Sequence, residues 1–234
     1  VRNSTAKFLR TFVNKIGRHN VCARNNTIIT LNYDDLIERA CELSGIHYRY
    51  GFKRNGFDGT IKLDLCDYKK DMMLDIKEEQ SSLPIYKLHG SYNWMTYQEH
   101  IKLISDMQNF FRDLNFWKDE WTKYGFVIEP PTIDKMYAGR ILSEIWGRSY
   151  DALSSSSRIC VIGYSFPEND GYVKYLLMAS LVDNATLKQV TIVDPLCDDS
   201  YKGRIKWLLE LLKAKNVSVN FCRQTAEQWV QTEI

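Results

Sequence analysis

A chain of 234 residues and 27.4 kDa, 44% hydrophobic and 13% aromatic, carries enough apolar surface for one large domain or one domain with a sizeable insertion. Its net charge of +2 and pI near 8.2 give neither nucleic acid nor an anionic membrane an electrostatic reason to bind. No apolar run reaches the length of a membrane span, and no signal-peptide pattern follows Val1. None of the six cysteines falls in a C-x-x-C pair, which argues against a ribbon-type zinc site and suits a reducing, cytoplasmic compartment.

In chain order, Phe8, Leu9, Phe12, Val13 and Ile16 recur at helical spacing and predict a core-packing helix over 5–17. Because the chain starts inside that pattern and without Met, the natural protein is expected to continue N-terminally. A strand is predicted over 26–32 ("NTIITLN") and a helix over 34–44; residues 51–82, with dispersed charges and several glycines, read as an irregular excursion. A second strand follows over 83–90 ("LPIYKLHG").

Residues 98–124 hold Phe110, Phe111, Phe116, Trp117 and Trp121 at near-helical spacing. That stretch is expected to be a helical insertion packed on the body, with a lid or a partner-binding surface as the alternative. The remaining strands are predicted over 126–131, 158–165, 188–195 and 217–222. Helices are predicted over 139–153, 170–182, 202–215 and 224–232, with "SSSS" at 154–157 as a connecting loop. Unbroken apolar runs such as "ICVI" and "VTIV" suit strands covered on both faces. The alternation of strand and helix predicts an α/β domain spanning 1–234, a doubly wound parallel sheet with helices on both faces.

Four predicted strands end in polar clusters: "TLNYDD", "KLHGS", "IGYSFPEND" and "IVDP". Each alone has a structural explanation. Asn32 or Asp34 can cap the following helix, and His89 can be a satisfied, half-buried histidine. Ser165 can open a helix near Pro167 while Asp170 bonds back to the loop, and Asp194-Pro195 can end a strand in a turn. Together they carry more weight, because a parallel sheet brings the carboxyl ends of its strands to one crevice. There they supply an amide to orient an oxygen, an imidazole as general base and main-chain donors for a phosphate.

These segments, in this order, resemble the sirtuin-like family, and most closely its zinc-free branch found in bacterial anti-phage defence proteins. The segments are Thr30-Leu31-Asn32-Tyr33-Asp34, Lys87-Leu88-His89-Gly90-Ser91, Ile128-Glu129-Pro130-Pro131-Thr132, Gly163-Tyr164-Ser165 with Asp170, and Val193-Asp194-Pro195. The resemblance implies a Rossmann-like domain that takes NAD as its substrate. By matching position it implies that Asn32 contacts the nicotinamide-side ribose and orients the attacking water, with His89 as general base and Asp34 supporting the nicotinamide pocket. Gly163 and Ser165 would approach the phosphates or ribose and Asp194 would lie near the adenosine half, with Thr30, Tyr33, Gly90, Tyr164 and Asp170 completing the binding segments.

The chain departs from the family pattern at two places. None of its twelve glycines forms a G-x-G, so the glycine-rich pyrophosphate loop is absent and is expected upstream of Val1. The paired-cysteine zinc module of protein-deacylating sirtuins is also absent, which favours NAD hydrolysis over deacylation and leaves no zinc expected. The resemblance therefore implies an NAD glycohydrolase serving as the effector of an abortive-infection defence protein, as a homo-oligomer or with sensor domains or a partner protein. A catalytically silent sensor or scaffold binding NAD or ADP-ribose is the alternative, and an NAD-dependent deacylase the third.

Overall fold

The computed structural model describes residues 2–17, 26–51, 63–65, 82–97, 100–103, 124–129, 139–168 and 170–232. The architecture is mixed α/β, with parallel strands flanked by helices, as the alternation of elements predicts. Helix α1 (Arg2–Gly17) turns Val13 into a core that also takes Ala40 and Cys41 from α2 (Leu36–Glu42). Between these helices lies β1 (Ile28–Thr30), and β2 (Tyr48–Arg49) follows α2.

Strand β4 (Leu83–Lys87) runs parallel between β1 and β2, pairing Thr30 with Lys87 and Tyr48 with Leu83. All five of its residues are buried, as expected of a central strand covered on both faces. A second parallel ladder places β9 (Gln189–Val193) between β10 (Ser218–Cys222) and β8 (Arg158–Ile162). Its register aligns Ile162, Val193 and Cys222, so the three strands end level with one another.

Residues β8 and β10 offer are exposed and half-buried rather than covered on both faces, so full coverage in this ladder belongs to its central strand. Helix α3 (Gly139–Ser155) packs against α4 (Gly171–Asp183), and α5 (Asp199–Arg204) leads into α6 (Lys206–Ala214). Ile205, Leu208 and Leu212 bury against Val190 and Ile192 of β9. Each such side chain contributes roughly 1.5–3 kcal/mol by leaving water. Helix α7 (Ala226–Thr232) closes against α1, where Lys15 Nζ donates to the Val230 carbonyl at 2.8 Å. Ile159, Tyr164 and Leu177 pack against both principal cores and so join the two parallel ladders.

A third sheet was not foreseen. It orders β3 (Leu63–Leu65), β6 (His100–Leu103), β5 (Gly90–Tyr97) and β7 (Tyr124–Ile128), with β5 antiparallel to both β6 and β7. The insertion expected to be helical therefore begins as strand over His100–Leu103, because those residues complete a hairpin with Trp94–Tyr97. Residues 104–123, including the aromatic stripe, lie outside the described residues. Likewise 51–82, read as irregular, contains the short strand Leu63–Leu65, and most of the rest lies outside the described residues. The predicted strand 83–90 divides at a turn over Leu88-His89, because Gly90 takes φ +79° and swings the chain into β5. A Cβ there would lie 1.9 Å from the Val127 carbonyl oxygen, so only glycine fits.

Candidate active site

The strand ends build the site in sequence. After β1, the Thr30 hydroxyl accepts from the Asn32 amide at 3.1 Å, turning the chain so that Asn32 is exposed. Asp34 Oδ1 accepts from the Leu36 amide at 3.1 Å and shapes the entry to α2. Asp35, at the N-cap position, is instead paired with Arg39 at 2.7 Å. Of Asn32 and Asp34, the structural role foreseen at the helix entry thus falls to Asp34, while Asn32 makes no side-chain hydrogen bond among the described residues.

Beneath this turn lies an ion pair that sequence reasoning missed. Lys87, 1% exposed, donates to the Asp34 carbonyl and to Glu38 Oε1, the latter at 2.9 Å. Burial pushes the Glu38 carboxyl above its ordinary range, with Lys87 and a hydrogen bond from Tyr50 opposing the rise. The pair fastens the Asn32–Asp34 turn to the central strand. Its signal in the sequence was a lysine in the middle of an apolar strand, but the partner stands 49 residues away.

His89 follows β4 and is 3% exposed. Its Nε2 lies 3.6 Å from Asp170 Oδ2, within ion-pair range but beyond a good hydrogen bond. Asp170 stands at the N-cap of α4 without capping it; its Oδ2 accepts from the Tyr164 hydroxyl at 3.0 Å. The loop role foreseen for Asp170 therefore holds, and the same carboxylate faces His89. Tyr164 in turn receives the Tyr201 hydroxyl on its carbonyl at 2.7 Å. Burial, with Asp170 adding to it, raises the Tyr164 phenol well above its ordinary value, so it stays a neutral donor.

Aromatic rings frame the imidazole: Tyr33 at 6.2 Å and Trp146 at 6.4 Å between centroids. The Trp146 indole donates to the Leu88 carbonyl at 2.9 Å, which fixes the ring beside the turn. Tyr33 donates from its hydroxyl to the Glu129 carbonyl at 3.3 Å, while its own carbonyl accepts from Ser91 Oγ and the Tyr92 amide, each at 3.1 Å. The ends of β1, β4, β5 and β7 are thereby tied together around His89.

On the other ladder, Gly163 takes φ +63° after β8 and its amide donates to the Val193 carbonyl at 2.9 Å. Among the described residues nothing lies within 4 Å of where its Cβ would be, so the backbone there is open on their side to an approaching group. Ser165 is exposed, and its carbonyl accepts from Arg204 Nε at 3.3 Å. Asp194 Oδ1 accepts from the Leu196 amide at 2.8 Å, the turn foreseen at the end of β9.

Tyr33, His89, Tyr164 and Asp170 thus meet directly. Thr30, Asn32, Asp34 and Gly90 adjoin them along the chain, and Gly163, Ser165 and Asp194 lie across the end of the second ladder. The buried polar atoms at this meeting point without a hydrogen-bond partner among the described residues include His89 Nδ1 and Glu129 Oε1. Buried polar atoms are almost always paired in folded proteins, so orphans where strand ends converge are groups whose bonding a ligand can complete. No group of three or more His, Cys, Asp or Glu among the described residues is placed to hold a metal ion.

A family model described as a SIR2-like domain matches residues 26–219, which takes in every segment of this site. No curated protein matches the chain.

Proposed function

The chain belongs to the SIR2-like family, whose members use NAD, and from that premise we propose that it hydrolyses NAD to nicotinamide and ADP-ribose. It does so as the effector of a prokaryotic anti-phage defence protein, in which loss of NAD halts the infected cell. The observation that carries the catalytic part is the buried imidazole of His89 with Nδ1 unpartnered among the described residues, beside the turn that leaves Asn32 exposed. The defence role rests on the resemblance of the strand-end segments to the zinc-free branch. Assembly with further copies, or with sensor parts of the protein, belongs to the same proposal.

The chemistry follows from the residue types. The bond between nicotinamide N1 and ribose C1′ breaks with its electron pair moving to the ring nitrogen, so neutral nicotinamide leaves. Positive charge remains on the ribose as an oxocarbenium-like centre. Asn32 orients a water toward C1′, and His89 Nδ1 takes the proton that the water loses as its oxygen bonds to carbon. One water is consumed and one proton released. Such a reaction needs orientation and charge stabilisation more than a strong nucleophile. Asp170 holds the far side of the imidazole, Asp34 supports the nicotinamide pocket, and Gly163, Ser165 and Asp194 receive the phosphates and adenosine half.

The test is nicotinamide release by the full-length protein beside Asn32→Ala and His89→Ala, with and without a candidate phage trigger. Release by the wild type, and its loss in both folded variants, supports hydrolysis. Binding of NAD or ADP-ribose with no release under any condition makes the domain a sensor. Neither binding nor release overturns both roles.

A further inference from the structure

The surroundings of Glu129 are those of a ligand-binding group. In β7, Val127 is buried while Phe126 and Ile128 are exposed, and the alternation carries Glu129 to the inward side at 7% exposure. Its amide donates to the His89 carbonyl at 2.9 Å, and its own carbonyl receives the Tyr33 hydroxyl at 3.3 Å. The residue is therefore pinned to both walls of the catalytic crevice. Its carboxylate Oε1 is buried without a hydrogen-bond partner, and no ion pair reaches it among the described residues.

An unpaired carboxylate in such a place is costly unless a cation or a hydrogen-bond donor arrives to meet it. The other acids near the crevice are already engaged. Asp34 Oδ1 accepts from the Leu36 amide, and Asp170 Oδ2 faces Tyr164 and His89. The Tyr33 phenol is raised by burial first, then by the charges of Asp170 and Glu129, so the phenol of the ring beside His89 feels the Glu129 carboxylate.

We propose that Glu129 is a substrate-contacting residue that selects the nicotinamide end of the dinucleotide, accepting from the carboxamide N–H and facing the positive charge of the ring. This deepens the NAD-hydrolase proposal and rests on it. The match of chemistry is specific: a spare buried acceptor among aromatic rings fits a flat cationic ring bearing an amide donor. A dinucleotide carrying a carboxylate in place of that carboxamide brings like charge against Glu129 and loses the donor, so it is excluded.

The experiment compares kcat/KM for NAD and for nicotinic acid adenine dinucleotide in the full-length wild type, Glu129→Gln and Glu129→Asp. Removing the charge while keeping the shape should narrow the preference for NAD by about 10- to 100-fold, the size of effect that loss of one charge-assisted contact produces. Glu129→Asp, which keeps the charge on a shorter stem, should retain a preference between the two. A wild type that hydrolyses NAD with a preference unchanged in Glu129→Gln overturns the role of Glu129 and leaves the hydrolase standing. A wild type that neither binds nor hydrolyses either dinucleotide overturns both.

Discussion

Asn184 and His89 are both buried polar side chains, at opposite ends of the strands, and their surroundings differ in kind. Asn184, 1% exposed, lies where α4 ends and the chain turns toward the amino end of β9. Its Nδ2 donates to the Leu153 and Ser156 carbonyls at 2.6 and 2.8 Å, and its Oδ1 accepts from the Thr186 and Leu187 amides, each at 2.7 Å. The amide's donor and acceptor ends are both used, on two segments of chain. At the carboxyl ends, His89 Nδ1 and Glu129 Oε1 are as deeply buried and have no such partners among the described residues. A satisfied buried polar group holds a fold together, whereas an unsatisfied one costs stability that a ligand can return.

This contrast can be broken by substitution. The largest expected effect is on His89→Ala, which should lower nicotinamide release by about 10²–10⁴-fold, the usual range for loss of a general base. Since the imidazole itself carries the unsatisfied atom, its removal breaks no hydrogen bond among the described residues and should cost little in a urea denaturation. Next comes Lys87→Met, which strands Glu38 in the interior and should cost about 3–5 kcal/mol of stability. Replacing both partners, Lys87→Met with Glu38→Leu, should recover most of that loss, because the uncompensated charge is gone. If the double variant is as unstable as the single one, the ion pair is not what fastens the Asn32–Asp34 turn.

Asn184→Ala should cost about 3 kcal/mol, since it strands backbone groups on two sides. Its turnover per folded molecule should be unchanged. A smaller effect follows from Glu38. Because its folded carboxyl lies above the ordinary carboxylate range, the unfolded chain releases this proton first as pH rises. The contribution of Glu38 to stability should therefore fall between the ordinary carboxylate range and the raised folded value, and stay level above it. Denaturation midpoints of wild type and Glu38→Gln across that window would check the sign: a wild type that instead gains stability there contradicts the burial argument.

Much of this was readable before the structure. Alternating apolar runs and helical periodicity located β1, β4, β8, β9 and β10 and the helices around them, because those signals are local. The polar strand ends were readable for the same reason, and the packing of the two parallel ladders through shared side chains then brought His89 and Asp170 within 3.6 Å across 81 residues of sequence. The third sheet was not readable: "GSYNWMTY" mixes polar and aromatic residues without a clean alternation, and β5 owes its existence to pairing with β7. Lys87 and Glu129 were missed for opposite reasons. The meaning of Lys87 depends on a distant acid in α2, and that of Glu129 on a partner that none of the described residues provides.

The most direct test measures His89→Ala and Asn184→Ala in parallel, each for nicotinamide release and for urea midpoint. A double dissociation is expected: His89→Ala keeps its midpoint and loses turnover, while Asn184→Ala loses its midpoint and keeps turnover under conditions where it is folded. A His89→Ala variant that unfolds as readily as Asn184→Ala, or that releases nicotinamide at the wild-type rate, would contradict it.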